Sequence, residues 1–377
     1  MNPVLTPSDL RPLTSLRFWA AIWVALYTFW PNLDAGFIPL LTTKGYLGVE
    51  LFFVLSGLIL SHVYLAGFGQ KRFNYKSFLW ARIARVYPLH LMTLLGVMAL
   101  GLGAVAVGLS IDDSVLSWKT LIPNLLMVHA WGFASESGWN HPSWSISAEW
   151  LAYLTFPLFA GAAWAMRSRP WLAVAGAAAG LVATYVVFER LAGFPLTQAT
   201  FNWGGLRILP CFAFGCALYL VYRRAPLSRP RLLALMALSV VLSSASIAAW
   251  DGITVLASGF MILALASIPV GQSRILGSKP AVYLGEISYA IYMVCAPWQM
   301  LGVNLASRFS GADTKALPPI WWLMVMAGLI VIAAIAHHLI ERPARRWLRT
   351  FSPKNSKNRG QMAKQTETVL QNPNPMG

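Results

Sequence analysis

The chain has 377 residues, 57% of them hydrophobic and 11% charged, with a formal net charge of +16 and a mean hydropathy of +0.58. A soluble globular chain carries about 25% charged residues, so composition excludes a soluble domain and indicates an integral membrane protein. Cys211, Cys216 and Cys295 all lie in apolar runs, so no disulfide framework is implied.

Ten apolar stretches are predicted to cross the membrane as helices: 15–34, 46–66, 86–108, 147–166, 171–191, 205–222, 231–249, 253–270, 282–304 and 320–340. The first, LTSLRFWAAIWVALYTFWPNL, matches one hydrocarbon thickness at a rise of about 1.5 Å per residue. It lacks a small-residue cleavage site, so it reads as an uncleaved first span. Arg17 and Thr28 lie three turns apart on one face of that helix, about 16 Å from each other along it. Two readings are open there. Arg17 either snorkels to the headgroups or faces a site, and Thr28 either bonds its own backbone or faces the same site. The run Leu121–Trp131 is too short to cross and reads as a re-entrant or interfacial helix.

Because charge in lipid is costly, the excess of +16 belongs to loops and tail. It reads as orientation and contact with anionic membrane lipid, with no nucleic acid partner. A cytoplasmic N-terminus puts Lys71, Arg72, Lys76, Arg82, Arg85, Arg167, Arg169, Arg223, Arg224, Arg229, Arg231, Arg274 and Lys279 inside. Asp34, Asp112, Asp113, Glu136, Glu189 and Asp251 then fall outside. That distribution obeys the positive-inside bias and sets both termini in the cytoplasm. The expected fold is all-α, a polytopic membrane protein of about ten transmembrane helices plus the short re-entrant or interfacial one. Residues 1–350 form the membrane domain, and 351–377 a polar, disordered cytoplasmic tail.

Polar residues inside the spans form two groups. The inner group is cationic: Arg17, with Arg82 and Arg85 in FLWARIARVYP. Residues three apart share a helix face, so the R-x-x-R can aim two guanidiniums at one phosphate; Tyr87 is grouped with them. The alternative is that these arginines only orient the loop. The outer group is Thr28, Glu50 and Glu149, with His141, Trp144 and Ser145 just before Glu149. A carboxylate there can act as general base, or can merely favour the positive end of its helix. His129 either lines the same site or packs in the core, and His62, His90, His337 and His338 read as interfacial. Cys295 reads either as a small buried apolar residue or as an acyl-accepting thiol. There is no H-x-x-x-x-D, H-E-x-x-H, P-loop or G-x-S-x-G, which argues against soluble-type acyltransferase, zinc protease, NTPase and serine hydrolase chemistry. No metal site is expected.

Six segments occur in the order found in one known family: LTSLRFWAAIWVALYTF, GYLGVELFFVLSGLILS, FLWARIARVYPLHL, PSWSISAEWLAYLTFPL, LGEISYAIYMVCAPW and HHLIERPARR. From about Leu13 to Arg346 the chain resembles the acyltransferase family 3 integral membrane proteins, which O-acetylate lipopolysaccharide, exopolysaccharide, Nod factors and macrolide sugars. The resemblance implies a ten-helix fold; the small size and uncleaved first span fit a bacterial inner membrane. It implies acyl-CoA, chiefly acetyl-CoA, as co-substrate, and a hydroxyl of a glycan or lipid-linked sugar as acceptor. It maps the family's first-helix arginine onto Arg17 and its R-x-x-R onto Arg82 and Arg85. It also maps W-S-x-x-x-E onto Trp144, Ser145 and Glu149, and S-Y-x-x-Y onto Ser288, Tyr289 and Tyr292. A histidine is common in the family where this chain has Cys295.

The family's first-helix histidine corresponds to Thr28, and threonine holds no titratable proton at neutral pH. Three accounts follow. The substitution, engineered or natural, leaves the protein inert or slow; Glu149 or Glu50 serves as base instead; or the acceptor needs only positioning. The expected activity is acyl transfer from cytoplasmic acyl-CoA to a sugar hydroxyl at the outer side. The rivals are a family member that only binds donor or acceptor, and a transporter of an anionic solute.

Overall fold

In the computed structural model, residues 10–353 are described except 109–111, 113, 135, 137, 270 and 313–314. Asp113 and the predicted tail from 354 onward therefore lie outside the described residues. The principal helices are α1 (Arg11–Phe29), α2 (Gly48–Gly69), α3 (Tyr75–Ala106), α4 (Trp144–Leu154), α5 (Phe156–Ala165), α6 (Pro170–Ala192) and α7 (Gly204–Arg224). They continue with α8 (Pro230–Ser246), α9 (Asp251–Ala266), α10 (Lys279–Glu286), α11 (Ser288–Trp298), α12 (Pro319–Ala336) and α13 (Arg342–Thr350). Among the described residues the only strand-like pairing is an isolated bridge between Leu33 and Leu317.

Helix boundaries follow local chemistry. Proline, which lacks an N–H that would go unused there, sits in the first turn of α1, α6, α8 and α12. The Asn74 side chain accepts from the Ser77 amide at 2.9 Å and starts α3. Gly193, at φ 78°, ends α6 in the left-handed conformation. The predicted span at 147–166 is broken into α4 and α5 at Thr155, where the next helix carries proline in its first turn.

Each of the ten predicted stretches contains helix among its described residues. Five stretches are long and apolar enough to cross a membrane on length and composition: Gly45–Gly69, Tyr75–Ala106, Pro170–Ala192, Gly204–Arg224 and Pro319–Thr350. The others are shorter or broken. The run Leu121–Trp131 does not make one helix: Leu121–Leu125 is a short helical turn, and His129–Phe133 is a distorted one with Gly132 at φ 87°.

The centre of the bundle is α7, with 78% of its apolar window buried against 22% for α6. It packs on α2, α4, α5, α6 and α9. Its tightest crossing is with α2, because Gly57 lies on the Phe212 carbonyl and Gly215 on the Val54 carbonyl. Small residues on both sides let the backbones touch, which is how helices associate in lipid where apolar burial supplies no drive. The large apolar side chains left exposed, such as Leu158, Leu191 and Leu235, are the expected lipid-facing surface.

Candidate functional site

A cavity of about 310 Å³ opens between α1, α2, α3, α4, α11 and α13. On α2 it follows Val49, Phe52, Phe53, Ser56, Ile59, Leu60 and Val63, the i, i+3, i+4, i+7 stripe of one helix face. That face rises about 21 Å, most of a hydrocarbon thickness of roughly 30 Å. The cavity is therefore long and narrow.

Its chemistry changes along its length. Arg82 and Arg85 from α3 and Arg345 and Arg349 from α13 line one end, and Arg17 from α1 is a fifth arginine in the lining. Among the described residues none of the five forms an ion pair with a carboxylate; the ion pairs found are Lys44–Asp251, Arg207–Glu50 and His337–Glu341. Arg82 lies 5.7 Å from the Tyr64 ring centroid and 5.9 Å from that of Tyr153, and its Nε is buried without an acceptor. Farther along, Glu149 of α4 accepts a 2.5 Å hydrogen bond from the Ser56 hydroxyl of α2. Among the described residues Glu149 is the only carboxylate in the lining. The arrangement can hold a multiply charged anion at one end and present a carboxylate to a reacting group at the other.

The family model for the acyltransferase 3 domain matches residues 13–339. The chain belongs to the acyltransferase 3 family. It is similar to acyltransferase MdmB of Streptomyces mycarofaciens, 31% identical over 380 residues, covering 90% of this chain and 92% of that protein. No solved structure matches. The chain is thus an acyltransferase enzyme, and its apolar helices suit the membrane placement of that family.

Of the residues that sequence singles out, Arg17, Arg82, Arg85, Ser145, Glu149, Tyr289 and Tyr292 line the acyltransferase's cavity. The hydroxyls of two of them are engaged elsewhere. Ser145 donates to the Pro142 carbonyl at 3.1 Å, and Tyr289 to the Val86 carbonyl at 2.6 Å. Tyr87 is not in the lining and packs its ring 6.1 Å from that of His90.

Thr28 and Glu50, grouped with Glu149 by sequence, are not in the lining either. Thr28 donates to the Val24 carbonyl at 3.0 Å, the backbone-bonded alternative. Gly48 packs on the Ala20 carbonyl and Gly45 on Trp23, so the start of α2 closes against α1 between Arg17 and Thr28. Glu50 lies on the neighbouring stripe of α2, toward α7, and there it pairs with Arg207 through Nε and, at 2.9 Å, through an Nη. Glu50 is 0% and Arg207 1% exposed. Trp144 covers that pair, its ring centroid 4.6 Å from the Arg207 guanidinium, and so it too stands outside the cavity.

The remaining sequence candidates also fall elsewhere. His141 is exposed. Ser288 is buried and donates to the Gly285 carbonyl at 2.7 Å. Cys295 is buried with its thiol on the Ile291 carbonyl at 3.2 Å, and all three cysteines are free. His90 and His129 are both core residues, each 1% exposed, stacked 6.1 Å apart, with Ser143 3.1 Å from the His129 Nε2. His90 is therefore not interfacial. Asp251 is no loop carboxylate: it is buried at the start of α9 and receives Lys44, Tyr46 and Thr197.

The residues that sequence reasoning missed are Arg207, Ser56, Tyr153, Arg345 and Arg349. Arg207 carried a readable signal, since an arginine inside a predicted span requires a partner. Arg345 lies in HHLIERPARR and Arg349 three residues beyond it, but both read as ordinary tail charge. No group of three or more His, Cys, Asp or Glu side chains is spaced to hold a metal ion among the described residues.

Proposed function

We propose that this acyltransferase moves an acyl group, acetyl by family resemblance, from cytoplasmic acyl-CoA to a hydroxyl of a sugar or lipid-linked glycan at the outer side of the membrane. The observation that carries the reading is the cavity itself, with arginines at one end that form no ion pair among the described residues and Glu149 farther in. Arg17, Arg82 and Arg85 hold the phosphates of CoA, and the pantetheine arm runs along the α2 face toward Glu149. The acceptor oxygen forms a bond to the thioester carbonyl carbon as the carbon–sulfur bond breaks. The hydroxyl proton passes to Glu149 and leaves with CoA as its thiol. The ten helical stretches are read as ten crossings of a bacterial cytoplasmic membrane, with both termini inside, as the loop charges support.

The test is release of CoA thiol from acetyl-CoA by the purified protein in lipid, with a crude glycan extract as acceptor. It is run on the protein as it stands, on Arg82→Ala/Arg85→Ala and on Thr28→His. Release that the double alanine variant abolishes supports the proposal. Unchanged acyl-CoA binding in that variant overturns it. Release only in Thr28→His means a protein that binds donor but lacks its base.

A further inference from the structure

The helix α13 lies beyond the matched family segment, which ends at 339, yet Arg345 and Arg349 line the same cavity as Arg17, Arg82 and Arg85. These two are i, i+4 neighbours and so share one helix face. The docking of α13 is defined by two hydrogen bonds from α3. Trp80 Nε1 donates to the Leu348 carbonyl at 2.7 Å, and Ser77 Oγ to the Pro353 carbonyl at 2.6 Å. The two helices therefore run antiparallel here, with the far end of α13 against the start of α3.

That register orders the cations along the cavity. Trp80 precedes Arg82 by about 3 Å of helix rise and Arg85 by about 7.5 Å. Leu348 beside Trp80 sets Arg349 toward the start of α3. Glu149 is held by Ser56, about 20 Å of helix before the end of α2 at Gly69, from which a short connection leads into α3 at Tyr75. Arg345 and Arg349 therefore line the end of the cavity remote from Glu149.

In an acyl-CoA the order from the thioester is pantetheine, then pyrophosphate, then the ribose with its 3′-phosphate. With the thioester near Glu149, the phosphate that reaches α13 is the last of these. We infer that Arg345 and Arg349 form the subsite for the ribose 3′-phosphate of the acyl donor. This inference rests on the acyl-CoA reading above. A dianionic monoester between two guanidiniums also relieves the repulsion of an uncompensated cation cluster.

The experiment compares binding of CoA and 3′-dephospho-CoA to the full chain in zwitterionic nanodiscs, so that lipid charge does not compete. The proteins are the wild type, Arg345→Gln/Arg349→Gln, and Arg346→Gln as a control from the same helix that is not in the lining. The wild type and the control are expected to bind CoA about 10- to 100-fold more tightly than 3′-dephospho-CoA, the range for charged hydrogen bonds. The double glutamine variant is expected to bind the two equally, and 3′-dephospho-CoA as tightly as the wild type does. If the double variant keeps the preference for CoA, or if Arg346→Gln loses it equally, the subsite assignment is overturned while the donor reading stands. If the wild type binds neither nucleotide, the donor reading itself fails and the subsite falls with it.

Discussion

Arg207 of α7 grips the carboxylate of Glu50 on α2 with two of its nitrogens, and neither side chain reaches solvent. The two outer carboxylates of the sequence therefore separate into a structural one and an available one. Removing one partner of a buried pair leaves an uncompensated charge at a cost of about 3–5 kcal/mol. Glu50→Ala is expected to lower the thermal midpoint sharply in detergent or to prevent accumulation of folded protein. Glu149→Gln is expected to keep the midpoint and to lower the acyl-transfer rate by about 10²–10⁴-fold, the range for general acid–base catalysis. Thermal unfolding beside thiol release checks both; a folded but inactive Glu50→Ala would return Glu50 to the chemistry.

Thr28 is spent on its own helix. Its hydroxyl donates to the Val24 carbonyl, a back-bond that slightly weakens a helix. The neighbouring close packing of Gly45 and Gly48 on α1 separates it from the cavity. Thr28→Ala is expected to leave thiol release unchanged and the thermal midpoint equal or slightly higher. A large fall in rate with the fold intact would show that Thr28 takes part in the reaction.

The α2–α7 crossing depends on the absence of side chains. A Cβ at Gly57 would overlap the Phe212 carbonyl oxygen, and one at Gly215 the Val54 carbonyl oxygen. Backbone cannot swing aside as a side chain can, so Gly57→Ala is expected to separate the helices and abolish folded protein, judged by size-exclusion profile. Gly96, inside α3, faces open space: a Cβ added there would meet nothing within 4 Å. Gly96→Ala is expected to be tolerated and to stabilise by about 0.5–1 kcal/mol, the usual gain of alanine over glycine in a helix.

Sequence alone determined the helical stretches, because apolar runs of bilayer length and first-turn prolines are local signals. It also determined the pairing of Arg82 with Arg85, since a spacing of three on one helix is a local relation. Glu149 was legible as an ionisable residue within a span, but no local pattern separates its role from that of Glu50. That distinction belongs to tertiary structure: Glu50 points along the α2 stripe facing α7, where Arg207 neutralises it, whereas Glu149 projects from α4 into the cavity with Ser56. The same holds for Thr28, which shares a helix face with Arg17 yet is parted from it by the glycines of a different segment. Arg345 and Arg349 join Arg82 and Arg85 only because α13 folds back antiparallel on α3. A long-range contact of that kind is set by packing between distant helices, and periodicity within any one of them carries no trace of it.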